Sequence, residues 1–557
     1  MPFPRLFAPG RIGSLEIRNR VVLPSMTTRL ADPEGRVTPD LISYYRERAR
    51  GGCGLVVVEM ASPQVRGRHR RNELGISSDR HLAGLQALTA AITAHGARAG
   101  IQLGHGGARA LPAELGGNPL AAVPGPVSVF EGGAHTNFPE VCDEEALETL
   151  IVDHVRAAQR AEEAGFDLVE LHGAHGYLLT QLSHQDENSV LPDAAARYRY
   201  LAELARRVVQ AVGIPVTYRV NGQDYYREGH GLADTLELLS HVAATGVSAI
   251  SVSGGHYLSD DPEIMIPPMP YPDGTFLAEA GAVRQAVPVP VIAAGRLNTP
   301  EVAERALALG QADFVAIGRG QIADPHWVRK TQQGQRVREC LACNHCVREM
   351  RSGGRLACAV NPDVLTADRP SAPSRPQDRV VYGGGPAGLT YAVESARAGH
   401  RVCVVARHRE WLAASAPTFN GYAPDRDRMV RYYTGLWQEC LERGVDIVPE
   451  GEEDPARVER ADVVVDARGA TYVPWAAAPT RIAEHLLPLL PGPAARAMSR
   501  RLHRAFLHRL RLPRPDGELG TVGQEQVRVG DAAEPGELAA AVHSAYVQAW
   551  KGTHHAA

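Results

Sequence analysis

Four of the chain's eight cysteines crowd into the stretch CLACNHCVREMRSGGRLACAVNP, residues 340–362. Cys340, Cys343 and Cys346 are spaced C-x2-C-x2-C, and eleven residues separate Cys346 from Cys358. Thiolates are soft ligands suited to zinc or to iron–sulfur clusters. Three thiols two residues apart can converge on three irons of one cubane, so the run fits a [4Fe–4S] cluster. A structural zinc site more often uses two separated C-x2-C pairs, and buried thiols without a metal are the plainest reading. His345 lies inside the run, where its neighbours already supply the sulfur.

A second group is ELHGAHGYLLTQLSHQ. His172 and His175 are three residues apart, and Tyr177 follows. Two imidazoles on one turn can donate together to a single oxyanion or carbonyl oxygen, and a tyrosine can deliver a proton. The H-x-x-H spacing also resembles a metal pair, but no carboxylate completes a site within the motif. A third group is Gly295-Arg296 and Gly318-Arg319. Glycine turns and arginine supply backbone and charge-assisted donors to a phosphate, and simple structural turns are the alternative.

These groups sit at the ends of elements with a regular pattern. Eight short apolar runs cover residues 20–26, 54–61, 98–105, 166–173, 214–221, 247–255, 289–295 and 312–320. Most are continuously apolar, as strands buried on both faces are. Amphipathic stretches such as DRHLAGLQALTAAITAHG and TPEVAERALALG lie between them. Eight strand–helix units predict an α/β fold, an N-terminal (β/α)8 barrel over residues 1–335, in preference to an open doubly wound sheet. Such barrels carry their chemistry where the strands end. Here those ends hold Ser25, Thr27, Gln102, His105, His172, His175, Arg219, Ser253, His256, Arg296 and Arg319.

The cysteine segment, residues 336–365, is followed by TADRPSAPSRPQD, a linker over 366–378. Then RVVYGGGPAGLTYAVESARAGHRVCVVAR reads as strand, glycine turn, helix, strand. Gly383, Gly385 and Gly388 form the G-x-G-x-x-G of a dinucleotide-binding domain over 379–557. Ala406 and Arg407 end the second strand, where such folds place a carboxylate for the ribose. The chain has 557 residues, a formal net charge of −4 and 22% charged residues. That balance argues against a broad nucleic-acid-binding surface. No apolar window is long enough to span a membrane. The first residues lack a signal-peptide pattern and the cysteines lack a secreted disulfide pattern, so a cytoplasmic protein is expected.

The segments NRVVLPSMT, IQLGHGG, HGAHGYL, YRVNG, AAGRLNTPEVAE and AIGRGQIADP, in this order and followed by the cysteine run, resemble the old yellow enzyme superfamily. The likeness is to its iron–sulfur branch, which includes 2,4-dienoyl-CoA reductase and trimethylamine dehydrogenase. The resemblance implies FMN in the barrel, with Ser25 and Met26 among its binding residues, Thr27 and Ala61 near the ring edge, and Gln102 and Arg219 on its pyrimidine side. Gly295, Arg296, Gly318 and Arg319 would hold the phosphate. His172 and His175 would bind the substrate carbonyl and Tyr177 would donate a proton. Cys340, Cys343, Cys346 and Cys358 would hold a [4Fe–4S] cluster. Gly383, Gly385 and Gly388, with Gly530 and Asp531, would bind FAD, with ADP or no occupant as the alternatives that Ala406 raises.

Two departures stand out. HGGARA displaces the usual arginine by one residue, to Arg109. The NAD(P)H-binding subdomain usual in the branch has no second glycine fingerprint here; in its place stands RIAEHLLPLLPGPAARAMSRRLHRAFLHRLRLP, which reads as basic helices. The resemblance implies reduction of a C=C bond conjugated to a carbonyl in a small-molecule substrate. One alternative is oxidation of an amine or C–H substrate, with electrons leaving through the cluster to ferredoxin or an electron-transfer flavoprotein; NAD(P)H is a further candidate donor. The other is a partner-docking flavoprotein whose C-terminal module carries no electrons.

Overall fold

The computed structural model describes residues 2–110, 118–130, 134–185, 188–365, 375–407, 426–468, 471–472, 511–512, 525–529 and 538–550. The chain divides into two compact units, residues 1–357 with 363–367, and residues 358–362 with 368–557.

The first unit is a closed barrel of eight parallel strands. They are β1 (Val21–Leu23), β2 (Leu55–Ala61), β3 (Arg98–Leu103), β4 (Leu168–Gly173), β5 (Val216–Asn221), β6 (Ala249–Ser253), β7 (Val291–Ala293) and β8 (Phe314–Ala316). Each lies inside one of the eight apolar runs, so the closed arrangement expected from the pattern is the one found. Helices α1 (Pro39–Arg50), α2 (Leu82–Thr93), α3 (Glu144–Glu163), α4 (Ala194–Ala211), α5 (Leu232–Ala243), α6 (Leu277–Ala286) and α7 (Pro300–Ala308) connect them.

Local chemistry sets where these helices start. Thr38, Asp143 and Asp193 cap α1, α3 and α4 by accepting the amides of Leu41, Ala146 and Ala196. A lost cap of this kind typically costs about 1 kcal/mol. Pro39 and Pro300 open α1 and α7, where the missing N–H is no loss.

A short hairpin, Gly10–Ile12 with Leu15–Ile17, closes one end of the barrel. Its Ile12, Leu15 and Ile17 pack with Leu55, Leu168, Ala249 and Phe314, residues that begin their strands. The amino-terminal end is thereby sealed with apolar side chains, and polar groups collect at the other mouth. After β8 the chain reaches the cysteine loop and the short helix α8 (His345–Arg351).

The second unit contains a five-stranded parallel sheet. Its strands are β9 (Asp378–Tyr382), β10 (Arg401–Ala406), β11 (Asp446–Pro449), β12 (Val463–Asp466) and β13 (Glu525–Arg528), in the order β11-β10-β9-β12-β13. This is the 3-2-1-4-5 order of a dinucleotide-binding sheet. Helix α9 (Pro386–Arg397) follows the glycine turn, and α10 (Arg426–Glu442) and α11 (Leu538–Ala549) pack against it. The strand–turn–helix–strand expected over 379–407 is present. The basic helices expected around 481–513 fall almost wholly outside the described residues.

Candidate active site

The barrel mouth encloses a cavity of about 240 Å³. Strand register decides which groups meet there. β4 pairs with β3 so that Glu170 lies beside Gln102, and with β5 so that His172 lies beside Arg219. Ser25 Oγ donates to Gln102 Oε1 at 2.9 Å, and Gln102 Nε2 donates to Glu170 Oε1 at 2.8 Å. Burial raises the Glu170 carboxyl's pKa, against the opposing charge of Arg219. Arg219 Nη2 donates to Ser253 Oγ at 3.3 Å, while its buried Nε has no partner among the described residues.

His172 is the next-to-last residue of β4 and is 4% exposed; its Nδ1 also has no partner among the described residues. The chain then turns sharply. His175 adopts φ +66° and Gly176 φ +79°. A Cβ at Gly176 would stand 2.3 Å from His256 Nε2, so only glycine fits. The turn brings the His175 ring to 5.4 Å from that of His172, nearly perpendicular, and its Nε2 to 2.9 Å from Ser253 Oγ. Burial, then the neighbouring charges of Arg219 and the other histidines, pushes both imidazoles well below their usual pKa. Both are neutral near pH 7.

Tyr177 completes the expected group and adds partners that its motif did not reveal. Its hydroxyl lies 2.9 Å from His69 Nε2 and 2.9 Å from Tyr257 Oη. His69 Nδ1 is 2.6 Å from Glu73 Oε1. Burial, then the Tyr257 charge, raises the Tyr177 pKa. Burial works the same way on Tyr257, but Arg70, Tyr177, Arg351 and Arg109 outweigh it and bring that phenol down. The displaced Arg109 sits with its guanidinium 4.5 Å over the Tyr257 ring and donates to the Gly176 carbonyl at 3.1 Å. The one local sign of this set is the His69/Glu73 spacing of four residues. Tyr257 comes from a loop 80 positions beyond Tyr177.

The expected flavin-binding positions mostly gather here. Ser25, Met26, Thr27, Gln102, Arg219, Gly295, Arg296, Gly318 and Arg319 all line the cavity. Ala61 follows Met60, which lines the cavity, at the end of β2. Strand β2 shifts register between Val58 and Met60. Ala61 is fully buried and its carbonyl accepts the Gly104 amide. Gly295 has φ +107°, and a Cβ there would meet Phe276 at 2.5 Å. A Cβ at Gly318 would meet Met26 Sδ at 2.7 Å. The Arg296 side chain is held by Asp273 at 3.0 Å and by the Pro268 carbonyl. Arg319 donates to the Pro267 carbonyl at 2.8 Å and to Asn344 Oδ1. The orphaned Arg219 Nε, the buried Gln102 and the two tight glycines form a cradle that fits the flavin the motifs imply.

The cysteine loop has a distinctive backbone. Ala342 and Asn344 both take left-handed φ, +50° and +54°. The Ala342 N–H donates to Cys340 Sγ at 3.3 Å. Cys346 lines the cavity with Val347, Met350 and Arg351 of α8. Burial pushes the Cys346 thiol up to about 12, with the Cys340 and Cys343 charges adding to it against Arg319. Burial and the Cys340 charge likewise raise Cys343. Thiols that oppose one another's ionisation, with an amide directed at sulfur, suit a cationic metal centre that relieves the repulsion. Cys358 lies in the 358–362 stretch grouped with the second unit. Among the described residues no disulfide forms.

In the second unit the three fingerprint glycines take separate roles. Gly383 has φ +120°, and a Cβ there would lie 2.3 Å from the Ala467 carbonyl oxygen. A Cβ at Gly388 would lie 1.9 Å from the Gly383 oxygen. Gly385 caps α9 with open space beside it. A tight turn, an open approach to the helix N-terminus and close helix packing are what a pyrophosphate turn requires. Ala406 is buried at the end of β10, and the Arg407 side chain is exposed. Gly530 and Asp531 lie outside the described residues.

A closed parallel barrel with this mouth defines a barrel oxidoreductase of the flavin-binding type. Residues 5–338 match the NADH:flavin oxidoreductase / NADH oxidase family, and the chain belongs to it, within the old yellow enzyme superfamily. It is 36% identical over 416 residues to an NADH oxidase of Thermoanaerobacter brockii, covering 72% of this chain and 63% of that protein's own length. It is 31% identical over 493 residues to an N,N-dimethylglycine/sarcosine dehydrogenase of Chromohalobacter salexigens, covering 84% of this chain and 70% of the relative. A solved 2-naphthoyl-CoA reductase shares its fold, with a TM-score of 0.83 at 21% identity over 99% of each chain.

Proposed function

We propose that the chain is an FMN-dependent, iron–sulfur oxidoreductase that reduces a carbon–carbon double bond conjugated to a carbonyl group. The observation that carries this reading is the pair of neutral imidazoles, His172 and His175, sharing one cavity with Tyr177. FMN, when bound, supplies hydride at its N5 position.

The residues of the chain do the rest. His172 and His175 bind the substrate carbonyl oxygen through ring N–H groups. The unpartnered Nδ1 of His172 is satisfied when a ligand arrives, and such a buried orphan typically costs about 1–3 kcal/mol. Ser253 fixes the His175 ring and Arg219 together. Polarising the carbonyl draws electron density from the β-carbon and lowers the barrier to hydride addition there. Tyr177 holds its proton at neutral pH and gives it to the α-carbon. With His69 Nδ1–H donated to Glu73, His69 Nε2 accepts from the tyrosine and keeps it oriented. Arg219 favours negative charge on the pyrimidine side of the ring.

Cys340, Cys343, Cys346 and Cys358 would hold a [4Fe–4S] cluster, as the family resemblance implies. Gly383, Gly385 and Gly388 bind a dinucleotide of the FAD class. These assignments follow a division into barrel (1–335), cluster segment (336–365), linker (366–378) and nucleotide-binding domain (379–557). No described helix is long and apolar enough to cross a membrane, and a cysteine spacing unlike a secreted disulfide framework supports a cytoplasmic setting.

The likeness to a dimethylglycine/sarcosine dehydrogenase favours a second reading, oxidation of an amine with electrons leaving through the cluster to a carrier protein. Anaerobic half-reactions separate the two. NAD(P)H or reduced ferredoxin is expected to bleach the flavin of anaerobically purified protein, with iron, sulfide and FMN present. Bleaching by secondary or tertiary amines alone overturns the reductase reading.

A further inference from the structure

Behind the His175 turn lies a group that this chemistry leaves unused. His184 follows the short helix Leu178–Gln181, Asp224 follows β5, and His230 precedes α5. One ligand atom from each lies within 4.8 Å of the other two, the one such set of three or more among the described residues. His184 Nε2 stands 3.0 Å from Asp224 Oδ2, and both side chains are 1% exposed. The His184 and His230 rings are 4.1 Å apart between centroids. Its members come from two loops, His184 from the one after β4 and Asp224 with His230 from the one between β5 and α5.

Two imidazoles and a carboxylate are the donor set of a borderline divalent cation. Zinc bonds of about 2.0–2.2 Å place tetrahedral ligand atoms about 3.3–3.5 Å apart, so the three groups need only a small adjustment. A second observation concerns the outer contacts. His184 Nδ1 is 3.1 Å from Tyr226 Oη. Asp224 Oδ1 accepts from Asn221 Nδ2 at 2.6 Å, and its Oδ2 accepts the His230 backbone amide at 2.8 Å. Metal-ligating histidines characteristically donate their other ring N–H to such a partner, and ligating carboxylates are similarly anchored. With Nδ1–H given to Tyr226, the Nε2 lone pair faces a carboxylate oxygen 3.0 Å away. Either a proton on Nε2 or a bound cation satisfies that contact.

We propose that His184, Asp224 and His230 form a binding site for a zinc-class divalent cation, with water completing the coordination. The site is separate from the cysteine loop and uses no sulfur. It ties to the active-site turn through Asn221, whose Oδ1 accepts the His175 amide at 3.3 Å. The cation therefore anchors the turn that presents His175 and takes no direct part in hydride transfer.

The test uses the full-length protein with its flavin and cluster, equilibrated with micromolar Zn2+ and desalted. Zinc, iron and flavin are counted per chain. One zinc with unchanged iron is expected, falling at least tenfold in His184→Gln and His230→Gln and less in Tyr226→Phe. X-ray absorption at the zinc edge of the wild-type protein is expected to show nitrogen and oxygen ligands only. Less than a tenth of a zinc per wild-type chain overturns the proposal, as does equal retention by folded His184→Gln protein. A zinc–sulfur shell near 2.3 Å places the metal on the cysteines and also overturns it.

Discussion

Both parallel sheets of this chain end strands in glycine turns, yet the two mouths differ in what surrounds the glycine. At the barrel mouth, Gln102, Glu170, His172, Arg219 and Ser253 are buried and Ser25 is half-buried, and strand register places most of them side by side. At the C-terminal sheet, Gly383, Gly385 and Gly388 shape the backbone, but β10 ends in Ala406 and an exposed Arg407. Glycines shape a place for phosphate; the side chains around them decide what chemistry follows. The barrel holds both kinds of information, and the described part of the second sheet holds mainly the first.

The largest effects are expected at the barrel mouth. Tyr177→Phe removes the proton donor and should lower kcat for enone reduction by about 10²–10⁴-fold, with flavin content unchanged. His172→Ala removes one carbonyl donor and should cost about 10²–10³-fold in kcat. Wild-type turnover in either variant would place the chemistry elsewhere. A stopped-flow comparison of flavin reduction with flavin reoxidation shows which half-reaction slows.

Glu59 separates the two units by stability. Burial raises its carboxyl to about 8, so the folded barrel holds a proton that the unfolded chain releases above its ordinary carboxylate range. The unfolded state then binds fewer protons, and stability falls as pH rises from about 4.5 toward 8. At pH 7 the cost is roughly 3 kcal/mol. Glu59→Gln keeps an acceptor for the Thr28 amide, which Glu59 Oε2 accepts at 2.7 Å. The variant should therefore melt higher than wild type at pH 8 and lose that advantage near pH 5. A calorimetric scan at both values checks this, with the transition of the second unit unmoved. Asp224 carries the opposite sign. Burial would raise it, but His184, His256 and Asn221 outweigh that and hold it at about 2. Its contribution is complete above the usual carboxylate range and is lost as pH falls toward 2.

The smallest effects on turnover are expected in the second unit, where the glycines can be told apart. Gly388→Ala places a methyl against the Gly383 carbonyl oxygen and should destabilise the turn itself. Gly385→Ala meets nothing within 4 Å and should leave the fold intact while crowding a pyrophosphate. Acid release of flavins should then show FAD lost and FMN retained in Gly385→Ala. Equal FAD in that variant and wild type would remove the nucleotide role from this turn.

Much of the barrel was legible because its strands are buried on both faces and read as unbroken apolar runs between helical periods. His172, His175 and Tyr177 were legible because one turn carries all three. The His69, Glu73 and Tyr257 partners were not, since two distant loops bring them to Tyr177. The register shift between Val58 and Met60 inside β2 was not legible either, because period-two alternation cannot show such an irregularity. The His184, Asp224 and His230 group stayed hidden for the same reason as Tyr257: His184 is brought to the Asp224/His230 loop by tertiary folding.

The central claim is that the histidine pair at the barrel mouth directs hydride to a carbonyl-conjugated double bond. The most direct measurement is anaerobic reoxidation of the reduced holoenzyme by an α,β-unsaturated ketone or thioester, followed through the flavin absorbance. The expected result is stoichiometric reoxidation with saturated product, slowed at least a hundredfold in His172→Ala. A reduced flavin that no such acceptor reoxidises, in protein whose oxidised flavin is bleached by an amine, would contradict it.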